Sequence, residues 1–412
     1  MVWAPSSFTA DFNAEEVMKE AQLSKPHVAR GIAIFLFAVF WLEIFLQAGI
    51  YFWSGKPFSS LNPYVWSPYG LVRNNPRLNS PGYHINSNGF REIRDYSQSK
   101  PPNTLRVMLL GGSVLYAGLG GANPLPGVPR VTSAETISQY LTGELQRNRA
   151  CRGKNIEVIN AAVNFNRISE LAPAYLNDYI NWDPDLVIVG SSLNNFGGSL
   201  TSETKAGMLL GPHAWESEFQ RLVNDTGLAS TVEVVIRRLS DNFAIVAVAR
   251  KAVQKAAHYL VPQERQSTAA RPGRSDPMDM EDTNTLNERN LQRFSSYASA
   301  MISAAETRKQ AMMFFWEYFL WNSAEFKPMS EDEVKLQQLN PPADLNPFYL
   351  RQRDWMRRFL EQKGVALIDP MPEMANYKGT IFIDYGHYTA GGNAFMAGVI
   401  AKRLVAKGIC PS

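Results

Sequence analysis

The chain has few cysteines, and its charge is nearly balanced. Of 412 residues only Cys151 and Cys410 are cysteine, and their spacing matches no metal-binding pattern, so no metal site is expected. The formal net charge of +3 is too small to favour nucleic acid, and no Lys/Arg cluster with interleaved aromatics appears. There is no internal repeat, which excludes solenoids and propellers. The glycine-rich phrase Gly118-Leu-Gly-Gly-Ala-Asn123 lacks the third glycine of a dinucleotide loop. No acidic residue follows a second strand at the required place, so no nucleotide and no other cofactor is expected. What remains is a chain long enough for one large domain plus an appendage. Its 45% hydrophobic and 19% charged content suits a globular protein with a membrane segment.

That segment runs from Gly31 to Trp53, where Glu43 is the only charge. At about 1.5 Å per residue it spans roughly 34 Å, enough for a bilayer core. It is too long for a secretory signal and shows no small-residue cleavage site, so it reads as an uncleaved single anchor. Lys19, Lys25 and Arg30 precede it closely, whereas only Lys56 follows before Arg73. This bias puts the N-terminus in the cytoplasm and the body outside it, in the periplasm if the membrane is a bacterial inner membrane. Glu43 falls near the midplane, where insertion scales charge a carboxylate about 2.5–3.5 kcal/mol. It reads either as a contact with a polar group on a partner's membrane helix or as a protonated residue on a lone span. The expected organisation is a tail over 1–30, the membrane helix over 31–53, a surface connector over 54–104 and a body over 105–412.

Within the body an insertion covers 196–288. Its stretch Phe243 to Val261 sets Arg250, Lys251 and Lys255 among apolar residues. Three readings stay open: a lid, a face resting on an anionic bilayer, or helices packed on the body. The run from Gln263 to Asn287 is polar and charged at both signs, as in a mobile loop. In the connector, His84 has no partner nearby in sequence and reads as a structural histidine.

The body is organised around Arg106-Val-Met-Leu-Leu-Gly-Gly-Ser113. Its unbroken apolar run ending in glycines reads as a strand buried on both faces, leaving Ser113 at the strand's carboxyl end. Further strands are expected over 156–160, 186–190, 312–320 and 365–368. Helices are expected after a Thr132/Glu135 capping box, over 170–180, over 349–362, and from a Thr389 cap to Gly408. Strands alternating with helices predict a parallel, doubly wound α/β sheet of flavodoxin-like, three-layer α/β/α form. In such a sheet the first and last body helices lie side by side. Cys151 and Cys410 follow those helices, so a disulfide between them is expected, as in an oxidising compartment, with two free thiols as the alternative.

Near the C-terminus, Asp384 and His387 stand three apart before the last helix. A serine hydroxyl needs a base to become a nucleophile, and an imidazole base needs a carboxylate to orient it. Gly111-Gly112-Ser113, Asn194 after the third strand, and Asp384-x-x-His387 together resemble the SGNH (GDSL-type) hydrolase superfamily, in particular its membrane-anchored bacterial members, over roughly residues 105–410. His84-Ile-Asn-Ser-Asn-Gly-Phe-Arg91 is similar to the lead-in of those members. Two features depart from the pattern: Asn164 and Phe165 stand where the second block offers a glycine, and Ser192 and Asn195 flank the third-block asparagine.

The resemblance implies a Ser113–His387–Asp384 triad. It also implies an oxyanion hole from the Ser113 backbone, the Asn194 amide and a third donor in the Asn164–Phe165 segment. The implied reaction is acyl transfer: an esterase removing acyl groups, acetyl above all, from an extracytoplasmic glycan or lipid. The same triad serves an O-acyltransferase acting on envelope or secreted polysaccharide. A reading of another class is an inactive scaffold that binds glycan or a membrane protein.

Overall fold

A computed structural model of the chain describes residues 14–54, 64–67, 71–118 without 77 and 81, 124–190, 192–196, eight positions between 239 and 252, 280–339 and 348–409. The residues fall into two compact units. Most of the expected insertion, and the loop 119–123, lie outside the described residues.

The first unit contains helix α1 (Ala14–Ser54). Its portion Arg30–Trp53 has a mean hydropathy of 2.1 and is long and apolar enough to cross a membrane. Glu43 does not stand alone on this helix. Its carboxylate accepts the backbone N–H of Ala244 and of Ile245, each at 2.8 Å, and the side-chain amide of Gln47 at 2.6 Å. Within this chain its acceptor oxygens thus face backbone donors at the start of a helical stretch of the insertion. Backbone N–H groups at a helix start have no intrahelical acceptor, and a carboxylate is a favourable one.

The second unit is built on a five-stranded, wholly parallel sheet. Its strands are β1 (Thr104–Gly111), β2 (Asn155–Asn160), β3 (Leu186–Gly190), β4 (Ala311–Phe315) and β5 (Ala366–Ile368), in spatial order β2-β1-β3-β4-β5. This is the flavodoxin-like order. Every residue of β1 is buried, as its unbroken apolar run requires. Strand order reverses at β1 and β3, which run in register from Val107 opposite Leu186 to Gly111 opposite Gly190. Their carboxyl ends therefore form the switch-point crevice in which such sheets hold ligands.

Helices cover both faces. α3 (Ile137–Arg147) packs on the last helix, α8 (Ala390–Ala406), and α4 (Ile168–Asn177) on α6 (Met280–Thr307). α7 (Tyr349–Gln362) has the expected bounds, and Thr389 caps α8 by accepting the Gly392 N–H. Three expected elements differ. The Thr132/Glu135 capping box opens only a 3-10 turn, and α3 starts afresh with Thr136 as its cap. The helix expected over 170–180 instead covers 168–177, and a 3-10 turn follows it. The strand expected to reach Leu320 stops at Phe315, after which Trp316 N–H still donates to Ile368 O and Glu317 is buried. Cys151, just past α3, is in a disulfide, and Cys410 lies outside the described residues.

The lead-in before β1 is laced into the body by buried polar groups. Asn74 donates its amide to Gly89 O and Ala162 O. The Arg91 guanidinium lies between the rings of Tyr83 and Tyr116 and donates to the carbonyls of Tyr116, Ala117 and Val131. Glu92 accepts the Asn160 N–H at 2.9 Å and an amide proton of Gln139, and burial pushes its carboxyl up to about 7. His84 has a structural setting, with Nδ1 on Glu92 O at 2.5 Å.

Candidate active site

Three carboxyl-edge segments meet at the switch point. The first is Gly111-Gly112-Ser113, which leaves β1 and opens the one-turn helix α2 (Ser113–Tyr116). Ser113 is 8% exposed, and its side chain makes no hydrogen bond among the described residues. As the first residue of α2, its backbone N–H has no intrahelical acceptor.

The second segment follows β3 and forms α5 (Ser192–Phe196), which carries Asn194. The Asn194 amide donates one N–H to Asn166 O at 2.9 Å, which leaves its second N–H for another acceptor. The same amide lies directly against Gly112, where an added Cβ would stand 1.8 Å from Nδ2. Glycine at 112 is therefore a packing requirement for this placement of Asn194. The turn after β2 completes the wall. Its Asn164 side chain donates to the Tyr64 hydroxyl at 3.0 Å, so that amide is engaged in the lead-in. Phe165, next in the chain, has φ +67° and is 48% exposed. A non-glycine residue in this left-handed region costs on the order of 1–2 kcal/mol, so the turn is held by its surroundings.

The third segment is the loop before α8. Asp384 Oδ2 lies 2.7 Å and Oδ1 2.9 Å from His387 Nδ1, and Oδ1 also accepts the N–H groups of Gly386 and His387, each at 2.8 Å. With Nδ1 donating to the carboxylate, Nε2 is left as the basic atom. The loop is closed by Ile383 N–H on His387 O and Thr389 N–H on Ile381 O, each at 2.8 Å. Its root is held by a buried ion pair, Lys327–Glu333 at 2.6 Å, whose carboxylate also accepts the Ile381 N–H at 2.8 Å. An added Cβ on Gly118 would meet His387 Nε2 at 3.2 Å and the Ser113 backbone carbonyl at 3.3 Å, which places the imidazole near the Ser113 backbone.

Glu317 was missed in sequence because it sits inside the apolar phrase Met312-Met-Phe-Phe-Trp-Glu-Tyr-Phe-Leu320. Its carboxyl is buried, accepts the Leu193 N–H at 2.9 Å, and is pushed up to about 7 by burial, against the pull of nearby His387. Among the described residues no group of His, Cys, Asp and Glu has the makings of a metal site.

No family model matches the chain, and no curated protein matches it. Among solved structures it is similar to a putative lipolytic protein of the G-D-S-L family from Desulfitobacterium hafniense DCB-2, with 11% identity and a TM-score of 0.34 over 73% of this chain and 99% of that one. It is similar to an acetylxylan esterase from Geobacillus stearothermophilus at 11% identity and a TM-score of 0.37, over 73% and 93%. A lipase/acylhydrolase from Enterococcus faecalis matches at 12% identity and a TM-score of 0.33, over 73% and 96%. The site is defined by its own residues. They are a serine, an asparagine amide and an Asp–His pair converging on the switch point of a flavodoxin-like sheet.

Proposed function

We propose that the chain is a membrane-anchored serine esterase, which removes acyl groups, acetyl above all, from a glycan or lipid outside the cytoplasm. The observation that carries this reading is the Asp384–His387 pair beside Ser113. Asp384 fixes the Nδ1–H tautomer, so Nε2 is free to take the Ser113 hydroxyl proton. Ser113 Oγ then bonds to the ester carbonyl carbon, and the carbonyl oxygen takes the electron pair. That oxyanion is met by the Ser113 N–H and the unused N–H of the Asn194 amide. Collapse expels the alcohol, which takes the proton from His387, and leaves an acyl-serine. Water, deprotonated by the same imidazole, releases the acid and restores Ser113. Hydroxyl oxygens of a sugar fit the same step as water, which would make the protein an O-acyltransferase.

The placement outside the cytoplasm is supported by the basic residues Lys19, Lys25 and Arg30 ahead of the apolar run that starts at Gly31, and an oxidising compartment by the Cys151 disulfide. The test is intact-mass labelling of the detergent-purified chain with a fluorophosphonate, beside Ser113→Ala and His387→Ala. One adduct on the parent protein, absent from both variants, is the expected result. A folded parent that takes no label refutes the esterase reading and favours a binding scaffold. Release of acetate from acetylated oligosaccharides, with and without an unacetylated acceptor glycan, separates hydrolysis from transfer.

A further inference from the structure

We propose that Glu317 is a positioning residue, holding the start of α5 so that Asn194 presents its amide at the oxyanion position beside Gly112. This rests on the reading of Asn194 as an oxyanion donor. The carboxyl stands just past β4, two residues after its last position, at the same sheet edge as Ser113 and Asn194. One oxygen accepts the Leu193 N–H at 2.9 Å and lies 3.5 Å from Ser192 Oγ. The Glu317 backbone N–H donates back to Ser192 Oγ at 2.8 Å, so the two segments are tied twice. The other oxygen is buried without a hydrogen-bond partner among the described residues, beside Gly190 at the end of β3. Tyr349 on α7 fixes the residue from behind by donating to the Glu317 carbonyl.

A carboxyl this deeply buried, with one oxygen unsatisfied, is costly, and an apolar residue would serve the core better. The cost has a local return. α5 is a single turn bearing Asn194 at its third residue, and its first N–H groups need an acceptor to fix where that turn begins. Asn194 sits one residue beyond the N–H that Glu317 holds. Release of that N–H lets the turn shift, and a misplacement of about 1 Å at a reacting geometry costs on the order of 10²-fold in rate.

The experiment is a set of substitutions in the full-length protein in detergent, read by two independent measurements. Hydrolysis of 4-nitrophenyl acetate gives kcat and KM, and hydrogen exchange gives the protection of the peptide spanning 190–196. Glu317→Ala is expected to lower kcat by about 10²-fold, with KM within about twofold, and to speed exchange in that peptide alone. Glu317→Gln keeps an acceptor oxygen in place and is expected to retain protection and most of kcat. In an Asn194→Ala background, Glu317→Ala should cost nothing further, because the two act as one unit. Parental kcat and protection in folded Glu317→Ala, or an undiminished penalty in the Asn194→Ala background, would overturn the proposal.

If Glu317→Ala does not fold, Glu317→Asp against Glu317→Gln decides. Asp keeps the charge but falls one methylene short of the Leu193 N–H, and Gln does the reverse. A slow Asp variant beside a near-parental Gln variant supports the positioning role, and the opposite order overturns it. A parent that neither hydrolyses ester nor takes fluorophosphonate label refutes the esterase reading instead, while the exchange contrast still reports whether Glu317 holds α5.

Discussion

Replacing Gly112 by alanine tests the geometry of the oxyanion site with one methyl group. An ideal Cβ there stands 1.8 Å from Asn194 Nδ2, 2.9 Å from its Cγ and 3.2 Å from Asn166 O. The backbone of Gly112 is itself tied to Gly190 O at 3.2 Å and cannot readily retreat. The Asn194 amide must therefore swing away by well over an ångström, breaking its 2.9 Å bond to Asn166 O. Loss of one oxyanion donor costs about 10²–10³ in kcat, or about 2.7–4 kcal/mol of transition-state stabilisation. Overpacking adds about 1–3 kcal/mol of lost stability. Steady-state hydrolysis of 4-nitrophenyl acetate and a thermal melt measure the two effects separately. Gly112→Ala should match Asn194→Ala in kcat, with KM little changed. The double variant should be no slower than Asn194→Ala, because the smaller residue at 194 leaves room for the methyl group. Its Tm should recover part of the loss. Additive losses in the double variant, or near-parental kcat in Gly112→Ala, would refute the assigned contact between Gly112 and Asn194.

Other outcomes follow from the same structure. Asp384→Asn, by disturbing the tautomer of His387, should lower kcat by about 10⁴ while leaving the melt near the parent's. Glu333→Ala leaves Lys327 buried and unpaired and the Ile381 N–H without its acceptor. It should cost about 3–5 kcal/mol in a denaturant melt. Glu92 and Glu317 both have carboxyls raised to about 7 in the fold from an unfolded value near 4.5. Their contribution is therefore fully present below pH 4.5 and is lost as the pH rises through about 7, and Glu92→Gln should flatten the fall in Tm across that window. Reduction of the Cys151 disulfide should lower the stability by about 2–5 kcal/mol, read as a Tm difference with and without reductant.

Much of the fold was legible because its signals are local and periodic. The apolar run of β1 needs no context to be read as a doubly buried strand, and the spacing of Met356 and Leu360 fixes the inner face of α7. Asp384 and His387 were legible because both groups of the pair come from one loop. What escaped depends on contacts across long stretches of chain. Glu317 is indistinguishable from a strand residue until Leu193, more than a hundred positions earlier, is seen to donate to it. Asn164 was placed near the oxyanion site by its position after β2, yet its side chain bonds Tyr64, a residue one hundred positions away. The same holds for Gly112, which looks like turn chemistry in sequence and proves to be the space that Asn194 occupies.

The lead-in before β1 has a practical consequence for dissecting the protein. A fragment begun at Thr104, where the main sheet starts, would look reasonable on paper. It would strip Arg91 from the carbonyls of Tyr116, Ala117 and Val131, and Glu92 from the Asn160 N–H. The carbonyls of Tyr116 and Ala117 lie within a few residues of Ser113 and Asn160 ends β2, so most of the damage falls on the edge that carries Ser113. The lead-in therefore belongs with the body, and a fragment that keeps these contacts begins at or before Tyr64, whose hydroxyl accepts the Asn164 amide.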